Sequence, residues 1–400
     1  MRPLLNRRTF VSTTAAAAAL PLAGRVSAQV TRVEVPFQLR ENQPLTQMTI
    51  NGAGPYWFLI DTGASGFAVD DLLARELRLR VVGQGRSQGA VGRTQTLNIY
   101  QANEIFVAGG LRDRNVLLGG LTALRGQRFR GVFPMTRNAA EIGMDFDRSK
   151  FIVDTRPPND HPGFDRLAIR VDTRRSVRAN RPSVDPSPRV QVRIAGRPAT
   201  LILDTGASGA VFLKPDFVRR HDLFATATRY RDGASMGVAG PFRTRLTPIE
   251  SLEIGRYRFD DLPVSLGYPE DSGRDGWGDY DGLLGVEVLR RLNFFIKPPR
   301  DELWIRPNSH LKDVYRFNRS GLNLDWRDDR VVVTGVSAGS PGARAGLKPG
   351  DVITSAPGGS YVGLVWVLTG ASGTAVPMAV VSDGGASRDV VVTLDDGFDD

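Results

Sequence analysis

Four hundred residues exceed one ordinary domain and predict two or three, with 41% hydrophobic residues to fill their cores. The absence of cysteine excludes disulfides, thiol catalysis and lipid attachment at a leader cysteine. The formal charge of +9 falls to +5 without the four arginines of the first 28 residues. The densest remaining basic cluster, Arg174 to Arg181, lacks interleaved aromatic rings and reads as a solvated loop, not a nucleic-acid surface.

In chain order, the start MRPLLNRRTFVSTTAAAAALPLAGRVSAQ combines a basic pair, a short apolar run and Val26-Ser27-Ala28. This predicts a leader over 1–28, cleaved after Ala28. The run from Val11 to Gly24 falls short of the about 20 apolar residues that a membrane helix needs. Asn6-Arg7-Arg8-Thr9-Phe10-Val11 resembles a twin-arginine export signal, with Asn6 in place of the usual Ser or Thr. No later segment reads as a membrane span, so a periplasmic or secreted location is expected.

FLIDTGASGF begins at Phe58 and LILDTGASGA at Leu201, so the word DTGASG occurs twice, with Asp61 and Asp204 143 positions apart. The likeness extends well beyond the word. Upstream, LTQMTINGAGPYWFLIDTG from Leu45 parallels RVQVRIAGRPATLILDTG from Arg189, each an alternating strand, a glycine turn and an apolar strand. Downstream come predicted helices from Val69 and from Lys214, where Pro215 suits a first helical turn. Each half then has a glycine-punctuated hairpin tip, Gly89-Ala90-Val91-Gly92 and Gly237-Val238-Ala239-Gly240. Strand–turn–strand patterns follow from Glu104 and from Ser251. RGVFPM from Arg130 takes the place of DGLLGV from Asp281, and FIVD from Phe151 that of ELWI from Glu302. Two strand-rich units follow, over 29–156 and 157–312, joined through the proline-rich stretch from Arg156.

A buried strand that ends in aspartate delivers a carboxylate to the edge of the core. The glycine after it permits close backbone approach, and the threonine hydroxyl can pin a neighbouring loop. Two such loops about a pseudo-twofold axis bring Asp61 and Asp204 together. Carboxylates that close cannot both ionise easily, so they share a proton and titrate as a unit. A water between them can then attack an amide carbonyl, with one carboxyl as base and the other as hydrogen-bond donor.

At these residues the chain resembles the aspartic proteases, and DTGAS with alanine after the glycine is similar to their retropepsin-like branch, here with both copies in one chain. The resemblance covers roughly 30–310. It implies a mainly β fold of two pseudo-twofold-related β-barrel lobes. It further implies catalytic Asp61 and Asp204, with Thr62, Gly63, Thr205 and Gly206 building the paired loops and the Ser65 and Ser208 hydroxyls supporting them. The tips at 89–92 and 237–240 would be flaps over an extended peptide. Gly282-Leu283-Leu284-Gly285 matches the element packed beside the catalytic loop. The first half departs there, with Pro134 in place of glycine. Proline fixes φ and removes a donor, so a different geometry is expected behind the first loop.

From about Asp313 the pattern changes. SGLNLDWRDDRVVVTGVSAGSPGARAGLKPGDVI from Ser320 resembles a PDZ domain, an α+β unit over 313–400. Gly321-Leu322-Asn323-Leu324 matches the loop whose N–H groups capture a peptide C-terminal carboxylate, and SYVGLVWVLTG from Ser360 the helix beside that groove. The alternative for this part is a small module that only packs on the rest.

Other signals are set aside. His161, His221 and His310 form no HExxH spacing and no G-x-S-x-G elbow exists, which argues against zinc and serine hydrolysis. The acidic, glycine-rich stretch from Pro269 does not match an EF-hand and reads as a polar insertion. The expectation is an exported aspartic endopeptidase, active as a monomer, with no cofactor, no metal, no nucleic acid and no membrane span. It would hold a polypeptide between its lobes and a C-terminal peptide at the PDZ groove. The alternative is a non-catalytic peptide-binding or adaptor protein.

Overall fold

The computed structural model describes residues 32–396 and 398, except 89–93, 125–126, 135–138, 157, 172–186, 238–239, 272–278, 328–329 and 383–384. The leader and the basic cluster from Arg174 to Arg181 therefore lie outside the described residues.

The first lobe contains β1 (Arg32–Pro36), β2 (Gln38–Arg40), β3 (Gln43–Ile50), β4 (Ala53–Asp61), β5 (Ala68–Asp70), α1 (Asp71–Glu76), β6 (Arg80–Gln88), β7 (Thr94–Val107), β8 (Leu111–Leu121), β9 (Gly131–Pro134), β10 (Glu141–Asp145) and β11 (Lys150–Asp154). The second contains β12 (Asp165–Arg170), β13 (Arg189–Ile194), β14 (Arg197–Leu203), β15 (Val211–Leu213), α2 (Pro215–Arg220), α3 (Leu223–Thr226), β16 (Arg231–Gly237), β17 (Gly240–Ile254), β18 (Tyr257–Gly267), β19 (Gly282–Leu284), α4 (Val286–Leu289), β20 (Leu292–Lys297) and β21 (Glu302–Pro307).

The strand order β3-β4-β9-β5-β8-β7-β6 recurs in the second lobe as β13-β14-β19-β15-β18-β17-β16. In each lobe the first of these strands also pairs with the long hairpin strand, β3 with β7 and β13 with β17, which closes the sheet on itself. The internal repeat is thus reproduced strand for strand. Local chemistry explains the pieces. In β4, Phe58 and Ile60 point into the main core while Leu59 and Trp57 join a second cluster with Leu45, Leu121 and Val132. Both faces are covered, so the strand reads as one apolar run. The Asp70 side chain caps α1 by accepting from the Leu72 N–H at 3.0 Å, and Pro215 opens α2.

The lobes share a platform that runs β1-β11-β10-β20-β21-β12, symmetric about the antiparallel β10–β20 pair. Gly143 of β10 faces Phe295 of β20, where a Cβ would lie 2.5 Å from the ring. One apolar core runs through both lobes, with Phe133 edge-on to Phe151 and Phe146 beside Phe294.

The C-terminal domain contains β22 (Leu322–Arg327), β23 (Arg330–Val336), α5 (Pro341–Arg344), β24 (Val352–Ser355), α6 (Tyr361–Val367), β25 (Ala375–Val381) and β26 (Ser387–Thr393). Its five strands pair in sequence order around a separate core that includes Leu322, Val333, Leu364, Val376 and Val392. The Ser340 and Ser360 hydroxyls cap α5 and α6.

Candidate active site

Strand β4 ends at Asp61, and Asp204 directly follows β14. Each strand lies parallel to a buried neighbour, β9 or β19, which carries its aspartate to the same level of its lobe. The loops that follow meet across the pseudo-twofold axis. The Thr62 N–H donates to Thr205 Oγ1 at 3.0 Å, and the Thr205 N–H donates to Thr62 Oγ1 at 2.9 Å. Each hydroxyl donates in turn to the opposite lobe, Thr62 to the Leu203 carbonyl at 2.5 Å and Thr205 to the Ile60 carbonyl at 2.8 Å. Both threonines are fully buried, so this ring of bonds satisfies groups that water cannot reach.

The carboxyls are presented in matching ways. Asp61 Oδ1 accepts from the Gly63 and Ala64 N–H groups at 2.7 and 3.0 Å, and Asp204 Oδ1 from Gly206 and Ala207 at 2.8 and 3.2 Å. Each carboxyl leans over the other lobe's glycine. A Cβ on Gly206 would lie 2.5 Å from Asp61 Oδ2, and one on Gly63 would lie 2.9 Å from Asp204 Oδ1. The word needs glycine at this position because the opposite carboxylate occupies the space.

The two carboxyls interact directly across the axis. Burial pushes both proton affinities above the ordinary aspartate range, and the Asp204 charge pushes Asp61 further, well above it. For Asp204, the Gly206 and Ala207 N–H groups and the bond from Asp61 oppose that rise. The pair therefore shares one proton and titrates as a unit.

Pro134 sits in β9 opposite Asp61, at the position that Gly285 holds in the second lobe. There the Gly285 N–H donates to the Ala210 carbonyl at 2.8 Å, and a Cβ would lie 2.2 Å from the Gly209 carbonyl oxygen. Val286 and Glu287 N–H groups at the start of α4 close on the Ala207 and Gly209 carbonyls. Proline cannot reproduce that support, so the backing of the two loops differs, as the sequence predicts. Asp61 nevertheless keeps both of its N–H bonds.

Ser65 and Ser208 are exposed, and the bonds bracing the loops come from the threonines. Sequence reasoning missed Asn42 and Glu287. Buried Asn42 reaches from the first lobe to the Ser208 carbonyl at 3.2 Å and to the Glu287 carboxylate. Fully buried Glu287 also holds Arg290 at 3.2 Å, Arg291 at 3.1 Å and the Arg316 N–H at 3.1 Å, joining the loop after Asp204 to the segment leading into the C-terminal domain. Its one sequence signal was a carboxylate two residues beyond Gly285 in an apolar run.

The first hairpin tip, Gly89, Ala90, Val91 and Gly92, lies outside the described residues, as do Val238 and Ala239 of the second. Gly237 and Gly240 pair at the end of β16 and β17. Phe242 packs edge-on against Phe212, 5.4 Å between centroids, with Leu283 completing the cluster. Leu283 pairs with Ile202, two residues before Asp204, so the second hairpin folds onto the neighbours of the aspartate strand.

In the C-terminal loop, Gly321 adopts φ +68° against Ser340, and Leu322 is buried with its N–H on Ser320 Oγ at 3.1 Å. The Asn323 side chain turns toward the second lobe, and the Leu324 carbonyl accepts from the Tyr361 hydroxyl at 3.1 Å. The Leu322 amide of the expected peptide-capturing loop is thus bonded internally. The acidic stretch from Pro269 is described only at its ends, where Asp279 pairs with Arg170 at 2.5 Å and Arg189 at 2.9 Å.

A family model described as aspartyl protease matches residues 46–146 and 190–288, and a PDZ domain model matches 332–357. No curated protein matches the chain. Among solved structures, basic 7S globulin from soybean aligns at 10% identity, covering 72% of this chain and 98% of its own, with a TM-score of 0.40. With both copies of the family model falling on the two lobes that present Asp61 and Asp204, the chain belongs to the aspartyl protease family, with a PDZ domain at its C-terminal end.

Proposed function

We propose that the protein is an aspartic endopeptidase that acts after export and hydrolyses extended or unfolded polypeptides between its two lobes. The observation that carries this reading is the reciprocal Thr62–Thr205 brace, which holds two carboxyls, each on two N–H groups, at the junction of the lobes. A water bound between the carboxyls loses its proton to Asp204 as its oxygen attacks the amide carbon. Asp61 meanwhile hydrogen-bonds the carbonyl oxygen and stabilises its developing charge. The tetrahedral diol then collapses as a proton passes to the amide nitrogen and the C–N bond breaks. An amine and a carboxylic acid leave, and the dyad again holds one proton. No cofactor enters this scheme. Both carboxyls come from one chain, so the monomer is complete. The PDZ domain would recruit a peptide or partner.

The test is cleavage of an unfolded protein by the chain from Gln29 across pH 3 to 8. Loss in both Asp61→Asn and Asp204→Asn supports the shared-dyad mechanism. A folded wild type that cleaves nothing replaces it with the peptide-binding reading.

A further inference from the structure

The C-terminal domain meets the second lobe along β16, the last strand of its sheet, where alternate residues turn their N–H and C=O groups away from β17. The Ala234 N–H donates to Asn323 Oδ1 at 3.0 Å, and the Asp232 carbonyl accepts from Ser337 Oγ at 2.8 Å. These residues are two positions apart and so face the same edge. At the base of the strand, buried Arg231 pairs with Asp395 at 2.6 Å.

The fit around Asn323 depends on two glycines. A Cβ on Gly233 would lie 3.1 Å from its Oδ1, and one on Gly335 would lie 2.8 Å from its Nδ2. The same domain is fastened to the first lobe. Arg128 donates to Ser360 Oγ at 2.9 Å and to the Gly358 carbonyl at 3.1 Å, while pairing with Glu41 at 3.0 Å. Asn323 is therefore presented to β16 from a body tied to both lobes.

We propose that Asn323 is a positioning residue for peptide hydrolysis: it fixes the outer strand of the second hairpin, so the C-terminal domain sets how firmly substrate is held without touching the dyad. The proposal rests on the peptidase reading and extends it. Ala234 lies three residues before Gly237, and Phe242 on the partner strand is anchored beside the aspartate strand, so β16 is the outer strand of a hairpin packed against the neighbours of Asp204's strand. The dyad has its own brace through Thr62 and Thr205, which Asn323 does not touch. Loss of Asn323 should therefore act on KM and leave kcat unchanged.

The experiment uses the full mature chain as wild type, Asn323→Ala and Asn323→Asp, with deuterium exchange at the Ala234 amide and steady-state cleavage of an unfolded protein across pH. In Asn323→Ala, exchange at Ala234 quickens and KM rises, each by about fivefold, the worth of one neutral hydrogen bond. kcat and the pH profile stay unchanged. Asn323→Asp keeps the acceptor oxygen and restores both readouts. Unchanged exchange at Ala234 overturns the proposal, as does a fall in kcat at constant KM. A wild type that cleaves nothing overturns the peptidase reading with it, and that failure is told apart because exchange at Ala234 still responds to Asn323. Should Asn323→Ala not fold, Ser337→Ala removes the companion bond at Asp232 and carries the same expectation.

Discussion

Asp61 and Asp204 have nearly equivalent surroundings yet share a single proton, because two carboxyls in contact cannot both ionise. Asp61→Asn and Asp204→Asn are each expected to lower cleavage about 10³-fold or more, measured as kcat on an unfolded substrate. The raised affinity of Asp61 fixes the sign of the pH response. Cleavage is expected to fall on the alkaline side as the shared proton leaves, with its midpoint above 3.8, the ordinary aspartate value. Stability follows the same linkage. A carboxyl whose folded-state affinity is raised contributes stability below its unfolded value and loses it as pH rises through the folded one. Asp61→Asn should therefore raise Tm at pH 7, by about 2–4 °C for each kcal/mol of relieved repulsion, and give no gain at pH 3. Calorimetry of the two proteins at both pH values checks this. Thr62→Val removes the hydroxyl that accepts from Thr205 and donates to Leu203. It leaves a buried N–H and a buried carbonyl unpaired, at about 1–3 kcal/mol for each group.

At the scale of elements, α4 has two tasks. Its first N–H groups close on the carbonyls behind Asp204, and Glu287 gathers Asn42, Arg290, Arg291 and the Arg316 amide into one buried cluster. The Arg291 side chain is fully buried and stacks on Tyr315 at 4.4 Å. Removing the Glu287 carboxylate takes the ion-pair partner from fully buried Arg291 and one of two from Arg290, which keeps Asp313 at 2.5 Å. Glu287→Ala is accordingly expected to cost about 3–5 kcal/mol in denaturant unfolding. The first lobe, with Pro134 in the matching place, presents Asp61 without that amide. The repeat is therefore closer in its strands and carboxylate loops than in the supports behind them.

For the whole molecule, the β10–β20 pair joins the lobes into one platform and the Glu287 cluster ties that platform to the segment before the PDZ domain. Both halves of the dyad arrive on one chain, so specific activity should be independent of protein concentration from the nanomolar to the micromolar range. Sedimentation at the same concentrations should show a single monomeric species. Activity that falls on dilution would place part of the site on a second copy.

The repeat was legible because each copy obeys the same local rules. Apolar strands end in DTG, helices begin at Asp71, capped by Asp70, and at Pro215, and the glycine-punctuated stretches recur in the sequence in register. The sequence by itself determined the two lobes, the pair of aspartates, the threonines beside them and the third, unrelated core at the C-terminal end. The reach of Asn42 into the other lobe, the Glu287 cluster and the seating of Asn323 on β16 could not be read from it. These join residues separated by 245, 29 and 89 positions, and each bond exists only where separately folded surfaces meet. Periodicity and spacing report how a segment folds against its neighbours. Which polar side chain crosses from one unit to the next is decided by the geometry of docking, and there the tertiary structure alone brought the groups together.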